Sequence, residues 1–172
     1  MATYIALLRA VNVGGTGKLP MARLKTLCEK LGFTQVQTFI ASGNVLFKSR
    51  LGAARVQAKL AAALQAEMGG PVGVLLRTVD ELRAVLAAKP FAGHDPSRCV
   101  VIFLPGAVPA DVIDCVRGRT DEQIHRGHCV LYVHFPGGQG NSKLRIPAAA
   151  AGTARNFNTV AKLLALADAM QL

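Results

Sequence analysis

Apolar positions along this chain fall into two patterns, short continuous runs and stripes that recur every three or four residues. The first run, Ile5-Ala6-Leu7-Leu8, predicts a buried strand over Tyr4 to Val11, ended by Asn12 and glycines. Leu24, Leu27, Cys28 and Leu31 then stand at i, i+3, i+4 and i+7. That spacing predicts a helix over Met21 to Leu31, with Pro20 in its first turn and Gly32 as its stop. Val36 to Ile40 and Val45 to Lys48 read as strands joined by the tight turn Ala41-Ser42-Gly43-Asn44. Ala53 to Met68 carries a second helical stripe, Val56, Leu60, Ala63 and Leu64, and Val72 to Arg77 is a further strand. The order β-α-β-β-α-β is the split βαβ, ferredoxin-like unit.

The pattern then repeats. Thr78 and Glu81 have capping-box spacing and predict a connecting helix over Thr78 to Ala88. Pro90 to Ser97 reads as a loop, Arg98 to Leu104 as a strand and Pro109 to Arg117 as a short helix. Glu122 to His125 and Cys129 to Phe135 read as a hairpin, with Leu131, Val133 and Phe135 on one face and Val130, Tyr132 and His134 on the other. After the loop Pro136 to Gly140, Leu144 to Ala151 reads as helical, and Val160 to Met170 as a last helix. The expected fold class is therefore α+β: a tandem duplication of a β-α-β-β-α(-β) ferredoxin-like unit with a C-terminal helix. Residues 1–77 form the first half, 78–97 the connecting helix and loop, and 98–172 the second half. The halves share negligible sequence identity, so the duplication is read from element order.

Mean hydropathy of +0.33 raises the question of a membrane span. The longest uncharged apolar stretch, Cys99 to Ala110, is interrupted by Pro105 and Gly106 and falls short of the ~18 residues a span needs. No basic region precedes the first apolar run, so a signal peptide is not expected and the location expected is cytoplasmic. Four scattered cysteines, three of them in apolar runs or stripes, are expected as reduced core residues rather than disulfides.

The net charge of +10 changes the picture most. Residues 1–50 hold seven Lys and Arg but one acid, Glu29, and such a field draws anions. The segment Asn12 to Leu19, NVGGTGKL, approaches a phosphate-binding loop. It lacks the leading glycine and the Ser or Thr that holds Mg²⁺, so a P-loop NTPase is set aside. What survives is an anion site built from Arg9, Asn12, Gly14, Gly15 and Lys18. Thr153 to Thr159, TARNFNT, crowds Arg155, Asn156, Asn158 and Thr159 at the start of the last helix, more than capping alone requires. His125, His128, Cys129 and His134 have no spacing that completes a tetrahedral site, so no metal and no cofactor is expected. There is no G-x-S-x-G elbow, and the first 28 residues contain no carboxylate, so an acid pair cannot come from the glycine loop and no catalytic residue is nominated.

LLRAVNVGG, PMARLKTLCEKLGF, TFIASGNVLF, SKL and RNFNTV together resemble the bacterial domain-of-unknown-function 1697 family, whose members read roughly LLRGINVGG, MxxLRxLxExLGF, TYIQSGNVxF, SKL and TRNWNTV. The marks run over nearly the whole chain. Departures are Ala10 for Gly, Ala41 for Gln and Phe157 for Trp. The resemblance implies a duplicated α+β fold and no known activity. The matching polar positions add Ser42, Gly43, Asn44, Ser142 and Lys143 to the candidates already named. The function expected is binding of a small phosphate- or carboxylate-bearing ligand, or a nucleotide, in a cleft between the two halves. Arg9, Lys143 and Arg155 would pair with the anion, and Asn12, Asn44, Asn156 and Asn158 would orient it. The alternative is a nucleic-acid-binding module that uses the basic N-terminal region, although aromatics are scarce and Phe39 and Phe47 read as core. No membrane partner is expected.

Overall fold

A computed structural model describes residues 1–9, 11–12 and 18–171. Among these residues there are two four-stranded antiparallel sheets, four α-helices and three short 3-10 turns. Contacts divide the chain into two compact units: Met1–Leu82 with the segment from Leu163, and Arg83–Lys162.

In the first unit the strands are β1 (Ala2–Arg9), β2 (Thr34–Phe39), β3 (Asn44–Ser49) and β4 (Gly73–Thr78), and the helices α1 (Met21–Lys30) and α2 (Ala53–Met68). The sheet order is β2-β3-β1-β4. Central β1 is buried from Thr3 to Leu8, which is why its sequence is an unbroken apolar run. Tyr4, Ala6 and Leu8 join Leu24, Leu27 and Cys28 of α1 and Val56, Leu60 and Leu64 of α2 in one apolar cluster. Ile5 and Leu7, on the opposite face, are equally buried. Phe47 is fully buried and stacks on Phe33 at 4.3 Å between centroids, whereas Phe39 is half-buried. Arg23 and Glu67 form a bidentate ion pair, at 2.7 and 2.9 Å, between α1 and α2.

The second unit holds β5 (Cys99–Phe103), β6 (Gln123–Arg126), β7 (Val130–His134) and β8 (Thr153–Asn156) in the order β6-β7-β5-β8. This is the order of the first sheet again, so the duplication extends to the closing strand. Gly152 brings the chain into β8: a Cβ there would collide with the carbonyl oxygen of Phe103. Two expected helices are absent. Over Pro109 to Arg117 the chain makes successive turns, because Val112, Ile113, Val116 and two aspartates favour helix poorly. Val112 and Ile113 are drawn into the apolar cluster instead. Cys115 is left exposed and Cys129 half-buried, while Cys28 and Cys99 are core residues, and all four are free thiols. Over Leu144 to Ala151 only Pro147–Ala151 winds, as a 3-10 turn. Arg145 upstream exchanges backbone hydrogen bonds with Arg117, at 2.7 and 2.9 Å, which a helix would forbid.

The boundaries between the units fall inside α3 (Val79–Ala87) and α4 (Phe157–Met170). The capping box at the start of α3 forms as expected: Glu81 N–H donates to Thr78 Oγ1 and Thr78 N–H to Glu81 Oε2, both at 3.2 Å. The end of α4 reaches β1, where the Thr3 hydroxyl lies 3.5 Å from Gln171 Oε1. Among the described residues no helix is long and apolar enough to cross a membrane.

Gly43 is a position where the first unit leaves no room. Its φ is +92°, and a Cβ would lie 2.6 Å from Val11 Cγ2 and 2.9 Å from Leu8 Cβ. Gly43→Ala is therefore expected to destabilise the protein by about 2 kcal/mol or more, measured as a lower urea midpoint with an unchanged slope.

Candidate functional site

In the first unit, Asn12, Ser42, Gly43 and Asn44 gather at the end of β1. Asn12 has φ +55°, in the left-handed region that Asn tolerates best among residues with a side chain. Its amide acts as a piece of backbone. Oδ1 accepts from Leu19 N–H at 2.6 Å, and Nδ2 donates to Leu19 O at 2.7 Å and to Ala41 O at 3.0 Å. Asn44 is completely buried and donates to Phe39 O at 2.9 Å and Ser42 Oγ at 3.1 Å, closing the β2–β3 turn. Gly43 O accepts from Leu8 N–H at 2.8 Å. These amides hold a loop and a turn against the sheet. Arg9 is exposed and lies over Gly73, where a Cβ would meet Arg9 Cβ at 2.9 Å. Lys18 is exposed, and Gly14 and Gly15 lie outside the described residues.

In the second unit, Ser142 and Lys143 line a cavity of about 440 Å³, together with Gly118–Glu122, Phe135, Gly137, Gly138 and Asn141. Its walls are two irregular segments, before β6 and after β7, and they are tied together at three points. Arg117 and Arg145 form the backbone bridge described above. Gly118 packs so closely on the Lys143 carbonyl that any Cβ would clash. The third tie is Glu122, only 4% exposed. Ser142 Oγ donates to Glu122 Oε2, while Thr120 N–H donates to Oε1 at 2.6 Å and Thr120 Oγ1 lies 3.2 Å away. These bonds, led by the one from Ser142, hold the carboxyl down to about 2 from its ordinary 4.5. So acidic a carboxyl is a weak base at neutral pH. Its Oγ also accepts from Leu144 N–H at 3.1 Å, a turn-closing bond. Arg119 Nε donates to Glu122 O at 2.8 Å, which fixes the direction of an exposed guanidinium at the cavity.

The other sequence candidates of this unit do not line that cavity. Arg155 lies on β8 at 7% exposure, its guanidinium donating to Thr153 Oγ1 at 2.7 Å and Ala154 O at 2.9 Å. Burial lowers it to about 10, so it stays charged. Asn156 is the N-cap of α4: its Oδ1 accepts from Thr159 N–H at 2.8 Å. This cap starts α4 at Phe157, ahead of the expected Val160. Asn158 is exposed and Thr159 half-buried. His134 faces away from Leu131 and Val133 as its alternation requires, but that second face is buried too. Its ring lies 4.1 Å from His94 and 5.8 Å from Phe91. Nδ1 has no partner among the described residues, and burial, followed by His94, lowers the imidazole. Among the described residues no three His, Cys, Asp or Glu side chains gather closely enough to hold a metal ion.

Sequence reasoning passes over Glu122 and Arg119. Glu122 looks like the first residue of a strand, and nothing local marks it as the acceptor for a serine 20 residues on. The available signal was the acid itself, one of only ten in a chain with twenty Lys and Arg, directly before an otherwise ordinary edge strand.

Two antiparallel sheets of identical strand order define a duplicated ferredoxin-like α+β protein with a cavity in its second unit. The chain belongs to the family described as Protein of unknown function (DUF1697), whose model matches residues 1–132. The fold is similar to that of the conserved bacterial protein SP0830 from Streptococcus pneumoniae, with a TM-score of 0.81 and 24% identity, over 96% of this chain and 98% of that one. No curated protein matches the chain.

Two outcomes follow from this geometry. Glu122 is held below its ordinary value, so what it contributes to stability is complete above pH ~4.5 and disappears as pH falls towards about 2. Thermal melts across that range should fall for the wild type and flatten for Glu122→Gln, which should also melt lower at neutral pH. Asn156→Ala should cost about 1 kcal/mol, read from chemical unfolding.

Proposed function

We propose that this protein binds a small anionic ligand, phosphate- or carboxylate-bearing, in the cavity of the second unit. The observation that carries the reading is the placing of two exposed cations, Arg119 and Lys143, on one cavity of about 440 Å³, with Asp121 the one exposed carboxylate beside them. That volume suits a small molecule. The buried carboxylate beside them, Glu122, has its oxygens engaged by Ser142 and Thr120, so it braces the walls while the cations meet the ligand. The N–H of Gly138 donates to Phe135 O at 2.9 Å, so the side chains rather than a glycine-loop nest carry the charge recognition. Within this reading Asn12, Asn44 and Asn156 keep loops and a helix start in place, and the surplus of positive charge draws the anion in. A cytoplasmic setting goes with it, since all four cysteines are free thiols.

The test is a thermal-shift series with inorganic phosphate, nucleotides and sugar phosphates, and with short DNA and RNA, at low and moderate salt. A small phosphorylated compound should raise the melting temperature at both salts. Lys143→Ala or Arg119→Ala should weaken its binding about tenfold or more, the size of one lost charge-assisted hydrogen bond. Stabilisation by polymers alone, vanishing with salt, would overturn this reading in favour of a nucleic-acid module.

A further inference from the structure

A second cavity, of about 230 Å³, lies on the apolar-cluster face of the second sheet. Ile102, Leu144, Ile146, Ala149 and Ala154 line it beside Gln139 and Thr153. It shares a wall with the first cavity, because Phe135 lines both. The same loop also divides them: Gly137, Gly138 and Lys143 face the first cavity, Gln139 and Leu144 the second. Successive residues of one loop, Lys143 and Leu144, thus present a cation to one compartment and a branched hydrocarbon to the other. We infer that the ligand is amphiphilic: an anionic head held by Lys143 and Arg119, with an aliphatic or aryl tail passing Phe135 into the second cavity. This rests on the anion reading above and names the ligand class within it. A small polar anion would use only the first cavity and leave the adjoining one, walled by Ile102, Leu144 and Ile146 of the apolar cluster, without a task. A tail there gains from leaving water, and Phe135, 6% exposed, offers an aromatic edge along the way.

Alkyl phosphates from methyl to octyl, titrated calorimetrically into the whole protein, test this. Affinity should rise about threefold to fourfold for each added methylene that reaches the cavity, then level off once it is filled. Ala149→Leu and, independently, Ala154→Leu occupy the second cavity and should bring octyl phosphate back to the affinity of methyl phosphate. The melting temperature of each variant and its methyl phosphate titration show that it has folded. Equal binding of all chain lengths to the wild type overturns the amphiphile and leaves the anion site standing. A gain that continues without levelling and ignores both variants is surface adsorption, and it also overturns the inference. No binding of any phosphate, methyl included, overturns both readings.

Discussion

Neither face of the central strands β1 and β5 meets water, and that constraint governs the layers around them. Six consecutive residues of β1 and all five of β5 are buried. Each sheet must therefore be covered twice. In the first unit α1 and α2 supply one cover through regular stripes, Leu24-Leu27-Cys28 and Val56-Leu60-Leu64, and the packing is continuous. In the second unit the corresponding positions are filled by turns, through Val112 and Ile113, by irregular chain, through Leu144 and Ile146, and by a 3-10 segment, through Ala148 and Ala149. Irregular chain cannot present evenly spaced ridges, so gaps remain between the segments. The second cavity lies there.

Irregular covers need another source of order, and side chains that imitate or bind backbone supply it. Asn12 pairs with both backbone groups of Leu19 as a strand neighbour would, Asn44 closes a turn from a fully buried position, and Glu122 gathers donors from two loops. Buried polar groups are costly unless satisfied, so each such residue fixes one loop geometry against alternatives. The conspicuous polar motifs of the chain thus serve mostly to hold it in shape.

Much of this was legible in the sequence. Continuous apolar runs marked β1 and β5, helical stripes marked α1 and α2 within a residue or two, and the Thr78–Glu81 spacing marked the start of α3. The misreadings share a cause. Pro109 to Arg117 and Leu144 to Ala151 have apolar residues near helical spacing, but in both the backbone is committed elsewhere, through the Arg117–Arg145 bridge, a contact between distant residues. β8 was hidden because TARN shows no apolar alternation: Thr153 and Arg155 turn their polar side chains to a buried face and bond there to each other. Glu122 and Ser142 are likewise a pair visible only after folding. Local chemistry announced the caps and turns, while long-range polar pairing did not announce the cavity.

The division of the chain has a bearing on its synthesis. The second unit is one continuous stretch, Arg83–Lys162, whereas the first is made of two, its early sheet and the segment from Leu163. On a ribosome the first sheet emerges before its last partner exists. Thr3 of β1, 3.5 Å from Gln171 in the finished protein, would wait for that late segment, and a unit left incomplete in this way invites chaperone attention. Maturation would then proceed out of chain order, with the middle of the polypeptide completed ahead of its beginning.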